Sequence, residues 1–80
     1  MPYIKVLDRE LVDRTGQPTS AGQLNYAITK LVKGYIDYRG VSYNTINEII
    51  GVLECSKLET YRRVGEPYEN AKISENGDVY

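Results

Sequence analysis

The residues best suited to chemistry lie together near the end of one apolar segment: Lys57, Tyr61, Arg62 and Arg63. Two guanidiniums beside an aromatic ring can bind a phosphate or carboxylate group and stack on a flat ligand. Lys57 falls inside an apolar stripe, where a buried ammonium needs an acidic partner or a ligand anion. The four residues are therefore a candidate site for an anionic, nucleotide-like ligand.

Each of these features also has a structural interpretation. The methylene stem of Lys57 can lie along the stripe while its ammonium reaches water. Glu59 precedes Arg62 and Arg63 by three and four residues, a spacing that favours ion pairs within one helix. The sequence leaves both interpretations open.

A second polar and aromatic cluster, Asn25, Tyr26 and Lys30, lies near the start of an earlier amphipathic segment. In an antiparallel helical hairpin the start of the first helix lies beside the end of the second. We therefore predict that this cluster approaches the Lys57–Arg63 region and completes the candidate ligand-binding site.

Few groups suited to catalysis are present. The 80 residues include no histidine and a single cysteine, Cys55. The usual zinc and haem ligand sets are thus missing, and no imidazole can activate the thiol, which fits a small buried hydrophobic residue better. The glycines are scattered singly, unlike a phosphate-binding loop. We expect no enzymatic activity, no cofactor and no metal site.

Charge and hydropathy restrict the partners and the location. A net charge of −1 argues against a protein whose main partner is nucleic acid. No apolar run reaches the roughly 18 residues of a membrane span. Asp8 and Glu10 interrupt the first ten residues, where a secretory signal would need an apolar core. The expected location is the cytoplasm.

Apolar periodicity predicts the helices that would position these side chains. Ile4, Leu7 and Leu11 indicate a short helix within residues 1–14, followed by a loop. Ser20 and Gln23 form a capping-box pattern that begins a helix over about residues 21–38.

The second long helix is predicted over residues 42–64. Ser42 is its expected N-cap, and Gly40 is expected to close the preceding helix in the left-handed conformation. Gly65 and Pro67 together are expected to stop the long helix. The tail then forms either a short helix that ends near Gly77 or a small hairpin, and the near absence of β-branched residues favours the helix.

The predicted architecture is an all-α single domain, residues 1–80, built on a hairpin of the two long helices. A chain of this size buries only about 60% of its unfolded surface, so its core is marginal. Val52, Cys55 and Leu58 add apolar surface away from the main stripe of the long helix. We therefore expect a homo-oligomer, most simply a dimer.

Three runs of the sequence, GQLNYAITKLV, YNTINEIIGVLECSKLETYRRV and PYENAKISENGDVY, resemble a family of small proteins of unknown function found in bacteriophage and bacterial genomes. The resemblance covers nearly all of residues 22–80 and begins again at MPYIK. It implies a phage context and the cytoplasm of a host cell, and it brings no activity with it.

The expected function is that of a small non-enzymatic accessory protein that works by binding, through self-association and contacts with a host protein. The alternative is a protein that sequesters a small anionic ligand through the candidate site.

Overall fold

The chain is all-helical in the computed structural model, which describes residues 1–80. The helices are α1 (Val6–Thr15), α2 (Ala21–Arg39), α3 (Tyr43–Thr60) and α4 (Glu66–Asn76). A π-helical segment, Tyr61–Gly65, joins α3 to α4. The predicted all-α fold class is confirmed, and so is the short helix in the tail.

The chain divides into two compact units, Met1–Thr45 and Ile46–Tyr80. Helices α1 and α2 pack together in the first unit, and in the second α4 follows the π-helical segment directly. The predicted hairpin would bring the long helix of one unit against the long helix of the other. The hairpin and the single domain therefore stay predictions.

The loop between α1 and α2 is fixed by local hydrogen bonds. Gly16 ends α1 in the left-handed conformation (φ 66°, ψ 12°) and donates its N–H to the carbonyl of Val12 at 2.8 Å. Ser20 caps α2, because its hydroxyl accepts the N–H of Gln23 at 3.2 Å. The Gln23 side chain returns to the backbone N–H of Thr19, one residue before the cap, rather than to Ser20 itself. The first hydrogen bond of the predicted capping box, from the N–H of Gln23 to the hydroxyl of Ser20, is thus confirmed. The second bond, to the Gln23 side chain, comes from the residue before the cap.

The buried face of α1 differs from the predicted one. Val12 is 4% exposed and joins Tyr26 in the small core of the first unit, whereas Leu7 is 77% exposed. Leu11 also lies at the surface. A bond between the side chains of Asp13 and Tyr26 orients α1 on α2, and this bond turns the Val12 side of the helix inward.

The link between the two long helices is short, as expected, but Gly40 differs from its prediction. It has a positive φ of 88° with an extended ψ of 154°, outside the left-handed helical region. Its N–H still closes α2 on the carbonyl of Ile36 at 2.7 Å. The hydroxyl of Ser42 accepts the N–H of Thr45 at 3.1 Å, so the predicted N-cap of the next helix is confirmed.

The prediction that Gly65 and Pro67 stop the long helix is wrong. Gly65 keeps right-handed helical angles (φ −67°, ψ −50°), and Pro67 occupies the first turn of α4. The π-helical turn places the N–H of Glu66 on the carbonyl of Tyr61, five residues back. The helical path therefore passes through Pro67, which has no N–H to donate, directly after the π-helical turn.

Candidate functional site

The ammonium of Lys57 lies in solvent and not in a core. Its side chain is 68% exposed, and Nζ lies 2.9 Å from a carboxylate oxygen of Glu54, one turn earlier on α3. Of the alternatives open from the sequence, the structure favours the one in which the charge reaches water. Lys57 is therefore accessible to another molecule, but its charge already has an acidic neighbour.

Arg62 pairs within its own helix, while Arg63 does not pair at all. Nη2 of Arg62 lies 3.2 Å from both carboxylate oxygens of Glu59. Both side chains are more than half exposed, so this pair contributes little to stability. Arg63 has no ion pair or side-chain hydrogen bond and is the free cation of the predicted cluster.

Tyr61 is fixed by contacts along the helix. Its ring lies against Gly65, where an added Cβ would come within 2.8 Å of the ring carbon Cδ2. Its hydroxyl donates a hydrogen bond of 3.2 Å to Glu69. The negative charge of Glu69 raises the pKa of Tyr61 above its ordinary value of 10.0, and the hydrogen bond, desolvation and Glu66 add to the effect. This phenol is therefore a fixed structural group across the junction of α3 and α4.

The second predicted cluster shows a similar division between bonded and free groups. Tyr26 is buried and donates to the carboxylate of Asp13 at 3.0 Å. Burial is the main factor that raises the pKa of Tyr26, followed by its bond to Asp13 and the charge of that carboxylate. Asn25 accepts a hydrogen bond from the hydroxyl of Thr29 at 3.2 Å, and Lys30 has no ion pair.

The candidate residues of the second unit do not line the cavity at the end of α4. A shallow, open cavity of about 350 Å³ lies at the C-terminal end of α4, bordered by Glu69, Lys72 and Asp78. Two carboxylates against one ammonium make this cavity a poor site for an anion. The two predicted clusters lie in different units, so their approach to each other stays a prediction. One cluster is Asn25, Tyr26 and Lys30, and the other is the Lys57–Arg63 region.

Sequence reasoning missed the contact that joins α3 to α4. Tyr61, Gly65 and Glu69 are spaced by four residues, so all three lie on one side of the helical path. That spacing was the available signal, but it is informative only if the helix continues through Gly65. No group of acidic or cysteine side chains lies close enough together to hold a metal ion.

These features describe a small helical protein whose polar side chains mostly serve the helices themselves. The family model Domain of unknown function (DUF6899) matches residues 1–79, and the chain belongs to this family. No curated protein is significantly similar to the chain. The same is true of solved structures. None of the helices is both long and apolar enough to cross a membrane.

Proposed function

We propose that this protein is a small non-enzymatic accessory protein of phage type that acts by binding, and that its working form is a homodimer. The observation that carries the proposal is the exposure of apolar side chains along α3, in the second unit. The phage context rests on the sequence resemblance described above.

Few apolar side chains of the chain are buried. No side chain is fully buried, and the buried hydrophobic residues are only Val12, Tyr26 and Ile49. Ile46, Ile50 and Val64, which belong to the apolar stripe of the predicted long helix, are exposed. Contiguous apolar surface of this kind is typical of a protein–protein interface.

A second copy of the chain can cover the apolar face of α3. A symmetric partner supplies the same apolar face from each side.

The alternative, sequestration of a small anionic ligand, has weaker support. Lys57 and Arg62 each face a carboxylate of their own helix, and Tyr61 is bonded to Glu69. Only Arg63 and Lys30 remain without an acidic partner. An anion would have to displace Glu54 and Glu59 to gain two of its contacts.

A pair of matched variants tests the dimer. Ile50 and Val52 are equally exposed on α3, at 62% and 63%, but point about 160° apart around the helix. We expect Ile50→Glu to weaken self-association about tenfold or more, because it buries a charge in the interface. Val52 belongs to the second apolar patch with Cys55 and Leu58, from which the sequence predicted self-association. With the interface on the Ile50 face instead, Val52→Glu is the control, and we expect it to leave self-association nearly unchanged.

Sedimentation velocity over a concentration series reports both variants, and circular dichroism checks that each remains helical. Equal association of the two variants would contradict the assignment of the interface to the Ile50 face. A rise in melting temperature of the wild-type protein with ATP would instead support the ligand-binding alternative. A complex that forms only when a host protein is present would mean that the partner is that protein and not a second copy of the chain.

A further inference from the structure

One exposed face of α3 has the spacing of a coiled-coil seam. Ile46, Ile50, Leu53 and Lys57 follow one another at intervals of four, three and four residues. Such a repeat places its residues along one side of a helix, where they can pack against the same residues of a second helix. All four side chains are exposed.

Lys57 decides the direction in which two such helices can pair. In a parallel twofold pair each residue of the seam meets its own copy, so two ammonium groups would face each other. An antiparallel pair avoids this contact, because Lys57 then lies opposite a different residue. Burial of two like charges together is costly, and the parallel arrangement is therefore disfavoured.

The charges on α3 set the register of such a pair. Glu54 and the partner's Lys57 lie at the same height when the twofold axis lies near Cys55. In that register Leu53 lies opposite the methylene stem of the partner's Lys57, and Ile46 lies toward the partner's Val64. Glu54 and Lys57 are already compatible in geometry, since they lie 2.9 Å apart within one chain.

Both members of that ion pair can exchange partners. Their side chains are 55% and 68% exposed, so neither is held by packing. Two chains would bring together two carboxylates and two ammonium groups in alternating order. Such a cluster is self-complementary, as a twofold interface requires.

We infer that two copies of α3 pair in antiparallel orientation, and that Lys57 of each copy binds the partner's Glu54 and so fixes direction and register. This inference rests on the homodimer proposed above. It adds the surface, the symmetry and the residues that select this partner.

Charge reversal combined with mixing tests the inference. Lys57→Glu leaves two acidic residues on each chain, and Glu54→Lys leaves two basic residues. We expect each variant alone to self-associate about tenfold more weakly than the wild-type protein. When the two variants are mixed, they should form a heterodimer at least as stable as the wild-type homodimer, which native mass spectrometry resolves by mass.

The double variant Glu54→Lys with Lys57→Glu is the control, and it should regain the homodimer. Because both side chains are exposed, all three proteins should keep the helical content of the wild type by circular dichroism. A wild-type dimer whose charge variants fail to pair on mixing would overturn the inference while the homodimer stands. A wild-type protein that stays monomeric would overturn both.

Discussion

Two tyrosines each bind a carboxylate, and both bonds serve the fold. Tyr26 connects α2 to Asp13 on α1, and Tyr61 connects the π-helical segment to Glu69 on α4. In each case the pKa of the phenol is raised, by burial first for Tyr26 and by the charge of Glu69 first for Tyr61. The hydroxyl must stay protonated to donate its hydrogen bond.

These shifts predict a loss of stability in alkali. Ionisation of Tyr26 is less favourable in the folded chain than in the unfolded chain, whose tyrosines titrate near 10.0. The stabilisation is thus complete below that pH and is lost as the pH rises through the raised pKa of the folded state. We expect the melting temperature of wild type to fall above about pH 10, and to fall less steeply in Tyr26→Phe.

Tyr38→Phe is the matched control for that experiment, because the Tyr38 ring is highly exposed and makes no bond to a carboxylate. Thermal unfolding followed by circular dichroism at a series of pH values measures the slopes. If wild type and Tyr26→Phe lost stability equally between neutral and alkaline pH, the role given to Tyr26 would be wrong.

Local contacts were predictable from the sequence, and distant ones were not. The pairing of Arg62 with Glu59 follows from a spacing of three residues on one helix. The bond between Asp13 and Tyr26 joins residues on two helices that lie 13 positions apart in the chain, and no local pattern indicates it. That bond also explains why Val12 and not Leu7 is buried, which apolar spacing alone predicts incorrectly.

At the scale of the elements, the junction of α3 and α4 is the main departure from sequence-based expectation. Gly65 and Pro67 are each common beyond helix ends, and together they predicted a stop. The π-helical turn takes up one extra residue and realigns the backbone, so that Pro67 falls in a first turn. The signals that break a helix here mark an irregularity within one helical path.

Two glycine substitutions test the packing at this junction. Gly51 lies within α3 with nothing close to an added Cβ, so we expect Gly51→Ala to stabilise the protein by about 1 kcal/mol. At Gly65 the added Cβ would meet the Tyr61 ring at 2.8 Å, so the ring must move away from Glu69. We expect Gly65→Ala to be less stable than wild type despite the better helix propensity of alanine.

Thermal and urea unfolding of both variants measure this difference, and the opposite sign of the two changes is the expected result. Stabilisation of equal size at both positions would mean that the Tyr61 ring does not depend on Gly65. The account of the junction would then be wrong.

At the scale of the whole molecule, the exposed apolar side chains are the dominant feature. The apolar stripes of α2 and α3 were predictable from periodicity, since it depends only on residue spacing. The same pattern does not say whether another helix of the chain or a second chain covers a stripe. For α3, whose Ile46, Ile50 and Val64 are exposed, our proposal is a second chain.

The candidate ligand site was predictable only in part. The sequence identified the charged and aromatic groups from Lys57 to Arg63, but their acidic partners decide their availability, and Glu54 was not recognised as one. In the proposed dimer Lys57 is a residue that selects the partner and not one that binds a small anion.

Native mass spectrometry of the wild-type protein over a concentration series tests the central claim most directly. We predict a species of about 18 kDa, twice the 9.1 kDa of one chain, that carries no small ligand and dissociates on dilution. A 9.1 kDa monomer at every concentration, alone or with a bound small anion, would contradict the account.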